Sequence, residues 1–302
     1  LANYESDNPG TKANLCRILM HGELSGTGRM LILPVDQGFE HGPARSFAVN
    51  PEAYDPVYHY SLAVEAGLSA YAAPLGMLEA GADQFAGQIP TILKMNSSNS
   101  LHGKSTQPDQ AITASVSDAV RLGCSAVGFT IYPGSDNINS MMEEIREISE
   151  EAKANGLAVV IWSYPRGGDL SKEGETALDV CAYAAHMACL LGAHIVKVKL
   201  PTSHIEQKEA AAVYKKCPVT KDDLSALVAH VKQACFAGKR LVVFSGGASK
   251  DLMGLYSEIE AIHKAGGNGS IIGRNTFQRP RAEALKMLKD IMLIYQKDFE
   301  YA

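Results

Sequence analysis

The stretch ETALDVCAYAAHMACLLGAHIVKVKL (Glu175–Leu200) contains the repeating unit that decides the fold. Its first part carries apolar side chains at helical spacing, and Gly192 offers the left-handed residue with which helices commonly end. HIVKVKL (His194–Leu200) then reads as a short strand, β-branched and apolar on both alternating faces apart from its lysines. The same order recurs along the chain. Strand-like runs stand at Met30–Asp36, Ser69–Ala73, Pro90–Asn96, Ser125–Ile131, Leu157–Tyr164, His194–Leu200, Arg240–Gly247 and Gly269–Asn275. Amphipathic stretches lie between and after them, clearest at Asn139–Gly156, Glu175–Gly192, Lys221–Gly238, Asp251–Gly267 and Pro280–Gln296. Gly67, Gly123, Gly156, Gly192, Gly238 and Gly266 each fall where a helix should stop.

Strands buried on both faces and separated by helices predict a parallel sheet. Eight such units in series, with no composition break or linker, predict an α/β fold of one (β/α)8 TIM barrel. The whole of residues 1–302 is read as that single domain, with residues 1–29 as a helical cap on the barrel bottom. An open doubly wound sheet is the competitor. It calls for a GxGxxG turn after the first strand, where this chain has QGFEHGPARS. Pro201–Lys221, after the sixth run, reads as the longest irregular insertion.

Composition narrows the function classes. The chain has 302 residues, 46% of them hydrophobic, and a formal net charge of −5. That balance argues against a nucleic-acid partner, which needs a concentrated basic face. No apolar run approaches the ~18 residues that would cross a bilayer. Six cysteines without CxxC or finger spacing read as reduced thiols of a cytoplasmic protein. The chain opens at Leu1 rather than Met, so a segment upstream is expected; nothing that follows reads as a targeting signal. The histidines, His21, His41, His59 and His204 among them, show no HxxxH-type ligand spacing, and most read as surface or rim residues.

In a barrel of this kind the chemistry sits at the C-terminal ends of the strands. The polar residues there include Asp36, Gln37, Glu40 and His41, Lys94 and Asn96, Tyr132, Trp162, Tyr164 and Arg166, Lys197 and Lys199, Ser245, Gly246 and Gly247, and Gly273 and Arg274. HIVKVKL is the most informative segment, because burying an ammonium is costly unless it is paired or neutral. Lys197 and Lys199 are two apart and share a face, opposite Val196, Val198 and Leu200. Two neighbouring cations and partial desolvation both lower an amine pKa, the condition for a nucleophilic lysine. The plainer alternative is a pair of anion-binding lysines. SGG (Ser245–Gly247) and GRN (Gly273–Asn275) at adjacent strand ends read as a phosphate cradle, with backbone N–H groups and the Arg274 fork as donors. Asp36 offers a carboxylate. Tyr164 offers a phenol for acid–base work, with Tyr132 as its rival.

The segments PVDQGFEHGP (Pro34–Pro43), IWSYPRGG (Ile161–Gly168), GAHIVKVKLP (Gly192–Pro201), VVFSGGASKD (Val242–Asp251) and GGNGSIIGRNTFQRP (Gly266–Pro280) together resemble the archaeal-type class I fructose-1,6-bisphosphate aldolases. These belong to the DhnA/DeoC-like class and also occur in bacteria. The likeness runs in order from Met30 to the last helix. It implies a cytoplasmic lyase of glycolysis and gluconeogenesis that forms a Schiff base and needs neither metal nor cofactor. By position, Lys197 matches the Schiff-base lysine, Tyr164 the general acid/base and Asp36 the first-strand carboxylate. Trp162 and Arg166 would line the pocket, Ser245, Gly246, Gly247, Gly273 and Arg274 would hold phosphate, and Lys199 would assist as a cation. Which of Lys197 and Lys199 becomes covalent is left open. The resemblance also implies a homo-oligomer, a decamer in the family. The alternatives are a related Schiff-base aldolase, transaldolase or thiolase acting on another phosphorylated substrate, a metal-dependent aldolase, and a barrel that only binds sugar phosphates.

Overall fold

The computed structural model describes residues 1–103, 106–219, 223–246 and 251–297. Eight parallel strands close into a barrel: β1 (Met30–Pro34), β2 (Ala70–Pro74), β3 (Thr91–Lys94), β4 (Ala126–Ile131), β5 (Ala158–Ser163), β6 (Ile195–Val198), β7 (Leu241–Ser245) and β8 (Gly269–Ile271). Each pairs with its neighbours in chain order, and β8 pairs back to β1 through Met30↔Gly269 and Ile32↔Ile271. All eight strand-like runs of the sequence are present, most of them shortened at one or both ends, while β2 runs one residue further, to Pro74. All six expected helix-ending glycines have positive φ, from 65° at Gly67 to 83° at Gly192.

Alternation along the strands sorts two cores. Leu31, Leu33, Val127, Phe129, Val159, Ile161, Val196, Val198, Val242 and Phe244 pack outward against the helices. Ile32, Ala70, Ala72, Ile92, Ala126, Ala158, Val160, Trp162, Ile195, Val243 and Ile271 fill the interior. The segment before β1 closes the N-terminal end of the barrel. Helix Pro9–Leu19 contributes Leu15 and Ile18 to the interior cluster, and the Tyr4 hydroxyl donates to the His194 carbonyl at 2.6 Å.

Three local features depart from the expectation. A two-stranded antiparallel pair, Asn96–Ser97 with Ala111–Ile112, follows β3. The insertion read as irregular contains helix Lys208–Lys216, built from good helix formers, with no residue fully buried and Tyr214 packed against the core. His59 and His194 are not at the surface. His59 Nε2 lies 2.8 Å from the Ala53 carbonyl among Phe47, Tyr58 and Phe277. His194 Nδ1 accepts from the Val159 N–H at 2.8 Å, with Nε2 3.1 Å from Asp7. Among the described residues no helix is long and apolar enough to cross a membrane.

The interior is filled asymmetrically: several strands offer Ala or Gly where β5 offers an indole. Trp162 folds its ring across Gly128 of β4, and a β-carbon at Gly128 would collide with the indole Cζ3 and Cη2 and press on Ile92. Gly128→Ala should therefore move the indole and cost about 1–3 kcal/mol of stability by overpacking. Trp162 is the only tryptophan, so its emission reports this position directly. An unchanged emission maximum together with an unchanged denaturant midpoint would show that the barrel absorbs the methyl group.

Candidate active site

β6 is only four residues long, and Lys197 sits within it, level with Trp162 of β5 on one side and Val243 of β7 on the other. Its side chain points into the barrel mouth while Val196 and Val198 face the helices. Burial therefore follows from the period of the strand. A cavity of about 500 Å³ opens above it at the C-terminal ends of the strands. Its wall includes Asp36, Glu40, His41, Tyr164, Arg166, Lys197, Lys199, Ser245, Gly246, Gly273 and Arg274. Most of the residues expected from sequence thus converge. Gly247 lies outside the described residues.

The amine of Lys197 is 5% exposed as a residue and lies 5.2 Å from the Tyr164 ring centre and 5.9 Å from that of Trp162. Burial pushes its pKa down to about 8, against the pull of the Asp36 and Glu40 carboxylates and with the push of Lys94 and Arg274. The logic of a lowered amine pKa holds, but the neighbouring cation is not Lys199. β6 ends at Val198, and Lys199 stands beyond it, 2.8 Å from Glu175 Oε2. Glu175 also meets Lys172 at 3.1 Å; burial raises its pKa, but its bonds to the two lysines hold it below the usual range. Lys199 is thereby held as a paired cation at the rim.

Lys94 takes the place expected of Lys199. It ends β3 at 2% exposure, with Nζ donating to the carbonyl oxygen and the side-chain Oδ1 of Asn96. Trp162 is the second correction. It does not line the cavity but lies beneath it, 1% exposed, with Lys94 and Lys197 both about 6 Å from its ring centre. Glu40, like Lys94, is a residue whose weight the sequence reading understated. Burial and the nearby Asp36 raise its pKa above the usual carboxylate range, opposed by Lys94, Arg166 and Lys197. For Lys94 a signal existed, since a lysine inside the apolar run PTILKMN poses the same burial problem as one inside HIVKVKL.

Tyr164 rather than Tyr132 faces the cavity. Burial, reinforced by Asp36 and Glu40, holds the Tyr164 phenol well above its ordinary range, so it is a proton donor at rest. Tyr132 is buried behind it, its hydroxyl accepting from Gln110 Nε2 at 2.7 Å, with the Arg166 guanidinium over its ring at 5.1 Å. Across the mouth, Ser245 of β7 pairs level with Ile271 of β8, and the Asn275 amide donates to the Gly246 carbonyl at 3.2 Å. This ties together the two strand ends that carry Ser245, Gly246, Gly273 and Arg274. A side chain at Gly273 would meet the Pro34 carbonyl and Gln37 Nε2, at 2.8 and 2.9 Å. The backbone there is bare because it must be.

A family model described as DeoC/LacD family aldolase matches residues 30–279. The fructose-bisphosphate aldolase class 1 of Thermoproteus tenax is 36% identical over 270 residues, spanning 89% of this chain and 90% of that protein. A probable fructose-bisphosphate aldolase class 1 of Chlamydia muridarum is 36% identical, spanning 96% of this chain and 86% of that protein. An archaeal fructose-1,6-bisphosphate aldolase solved with its catalytic lysine bound to the carbinolamine intermediate superposes with a TM-score of 0.77. It is 31% identical and covers 94% of this chain and 99% of that one. A Schiff-base-forming fructose-1,6-bisphosphate aldolase gives 0.76 at 32% identity, with 93% and 98% covered. With every barrel strand inside the matched region and relatives this similar along most of its length, the chain belongs to the DeoC/LacD family of aldolases.

Proposed function

We propose that the protein is a class I, Schiff-base fructose-bisphosphate aldolase that cleaves fructose 1,6-bisphosphate reversibly to dihydroxyacetone phosphate and glyceraldehyde 3-phosphate. The observation that carries this reading is Lys197: a buried amine with its pKa brought down to about 8, at the floor of a cavity that opens toward Arg274 and the paired ends of β7 and β8. A lysine becomes a nucleophile when it is desolvated and near other cations.

The residues fit the steps as follows. One substrate phosphate rests against Arg274 and the backbone of Ser245, Gly246 and Gly273, which sets the C2 ketone over Lys197. The free amine adds to C2, and the carbinolamine loses its hydroxyl as water to leave an iminium. Asp36 and Glu40 face that cation, and the Tyr164 and Trp162 rings border it. The C4 hydroxyl then loses its proton, the C3–C4 bond breaks, and its electrons flow into the iminium. Glyceraldehyde 3-phosphate leaves behind an enamine. Protonation at C3 and addition of water release dihydroxyacetone phosphate and free Lys197. Tyr164 is the acid/base of the bond-breaking step. At rest it is protonated, the form needed to protonate the aldehyde oxygen in the synthetic direction. In cleavage it acts as the phenolate: the new iminium close to its ring lowers the cost of releasing the phenol proton to solvent, and the phenolate then takes the proton from the C4 hydroxyl.

Two experiments test this reading. Borohydride reduction in the presence of dihydroxyacetone phosphate, followed by peptide mass spectrometry, should label Lys197, with a rate that rises through a midpoint near pH 8. Label on Lys199 would move the nucleophile; no label at all, or no cleavage of fructose 1,6-bisphosphate in a coupled assay, would end the proposal. Tyr164→Phe should retain trapping at Lys197 while cleavage falls by about 10²–10⁴-fold, the usual contribution of a positioned acid/base. An equal loss of both would make Tyr164 a packing residue.

A further inference from the structure

We propose that Lys94 is a positioning residue for imine formation: held as an ammonium by Asn96, it offsets the field of the Asp36 and Glu40 carboxylates and favours the uncharged form of Lys197. The inference rests on Lys197 being the nucleophile.

Two lysines face the same pair of carboxylates in one buried space, and the geometry distinguishes them. Lys94 Nζ donates to both the carbonyl oxygen and the Oδ1 of Asn96. Those acceptors are fixed, because Asn96 Nδ2 donates to the Thr130 carbonyl at 2.9 Å and the Thr130 N–H donates to Asn96 Oδ1 at 2.7 Å. The antiparallel pair after β3 presents Asn96 in this position. Lys94 is thus held by two oxygens, an arrangement that suits an ammonium with its three donors. Among the described residues, Lys197 Nζ has no such acceptor; its nearest recorded neighbours are the faces of Tyr164 and Trp162. The proton belongs on the amine with acceptors around it.

Charge accounting points the same way. The groups facing Lys197 are Asp36 and Glu40 from the segment after β1, Lys94 from β3, the Tyr164 phenol from β5 and Arg274 after β8. Arg166 faces Glu40 and the back of the cluster. Without Lys94, two carboxylates would draw a proton onto Lys197, and one repelling cation would be gone. Both changes act in one direction. Lys199 cannot substitute, since Glu175 holds it.

The test is the pH dependence of trapping at Lys197 with dihydroxyacetone phosphate and borohydride, compared in wild type, Lys94→Gln and Lys94→Arg. Gln keeps a donor for Asn96 and removes the charge; Arg keeps the charge. In Lys94→Gln the midpoint should move to higher pH by about one unit, so that trapping at neutral pH falls about tenfold and returns as pH is raised. Lys94→Arg should hold the wild-type midpoint even where its bulk slows the reaction. An unshifted or acid-shifted midpoint in Lys94→Gln would overturn the inference, whatever the amplitude, because a packing role lowers amplitude without moving the midpoint. Should Lys94→Gln fail to fold, ¹³Cε-lysine NMR of the unaltered protein decides, with the Lys197 signal identified by its absence in Lys197→Met. Lys197 should titrate near pH 8 while Lys94 remains a cation, and the reverse order would overturn the inference. Absence of label on wild-type Lys197 would instead overturn the aldolase reading itself, an outcome distinct from an unshifted midpoint on a labelled lysine.

Discussion

An amine on the inward face of β6, taken out of water, is the constraint around which the rest of this molecule is arranged. A buried ammonium costs several kcal/mol unless partners or neutralisation relieve it. The barrel supplies both remedies in different places. Lys94 has two acceptors and two carboxylates nearby, while Lys197 has the same carboxylates but aromatic faces in place of acceptors. The difference between the two sites is small in distance, and it originates on separate strands. It survives only because a closed barrel fixes β3 relative to β6 through every strand between them.

Trp162 shows how that fixing works. Its indole is buried in the barrel interior, lies over the bare backbone of Gly128 and has both amines about 6 Å from its ring centre. Four strands therefore meet around one ring: the lysine of β3, the glycine of β4, the indole of β5 and the lysine of β6. A packing requirement and an electrostatic one are met by the same ring. Stability and reactivity are coupled here through geometry, with the barrel interior serving as the ruler.

The barrel was legible in the sequence because strands buried on two faces write themselves as short, continuous apolar runs, and because helix ends demand a left-handed residue. Helix Lys208–Lys216 escaped notice because it is short and carries only two large apolar residues, Val213 and Tyr214, too few to mark a stripe by eye. At the site, Lys197 could be read from its cost, and Lys94 could have been read by the same argument. Pairing could not. Alternation placed Lys199 beside Lys197, yet the strand stops at Val198 and the next residue swings to Glu175. Which cation faces which carboxylate is decided by segments that meet only after folding, as Glu40 after β1 and Lys94 at the end of β3 do.

Arg274 gives the charge arrangement a further consequence. Its guanidinium repels a charged Lys197, together with Lys94, and so helps to keep the amine free. If a substrate phosphate is held there as proposed, that same guanidinium becomes paired, and its repulsion across the cavity is largely cancelled. After the carbinolamine, the next charged species on the nitrogen would be the iminium, a cation that dehydration makes unavoidable. It would form opposite Asp36 and Glu40 with one of its two repelling neighbours neutralised. Binding would then alter the site in the sense the chemistry needs, disfavouring a cation before the amine attacks and tolerating one afterwards. No movement of the protein is required for this, since the charge that changes is brought in by the substrate.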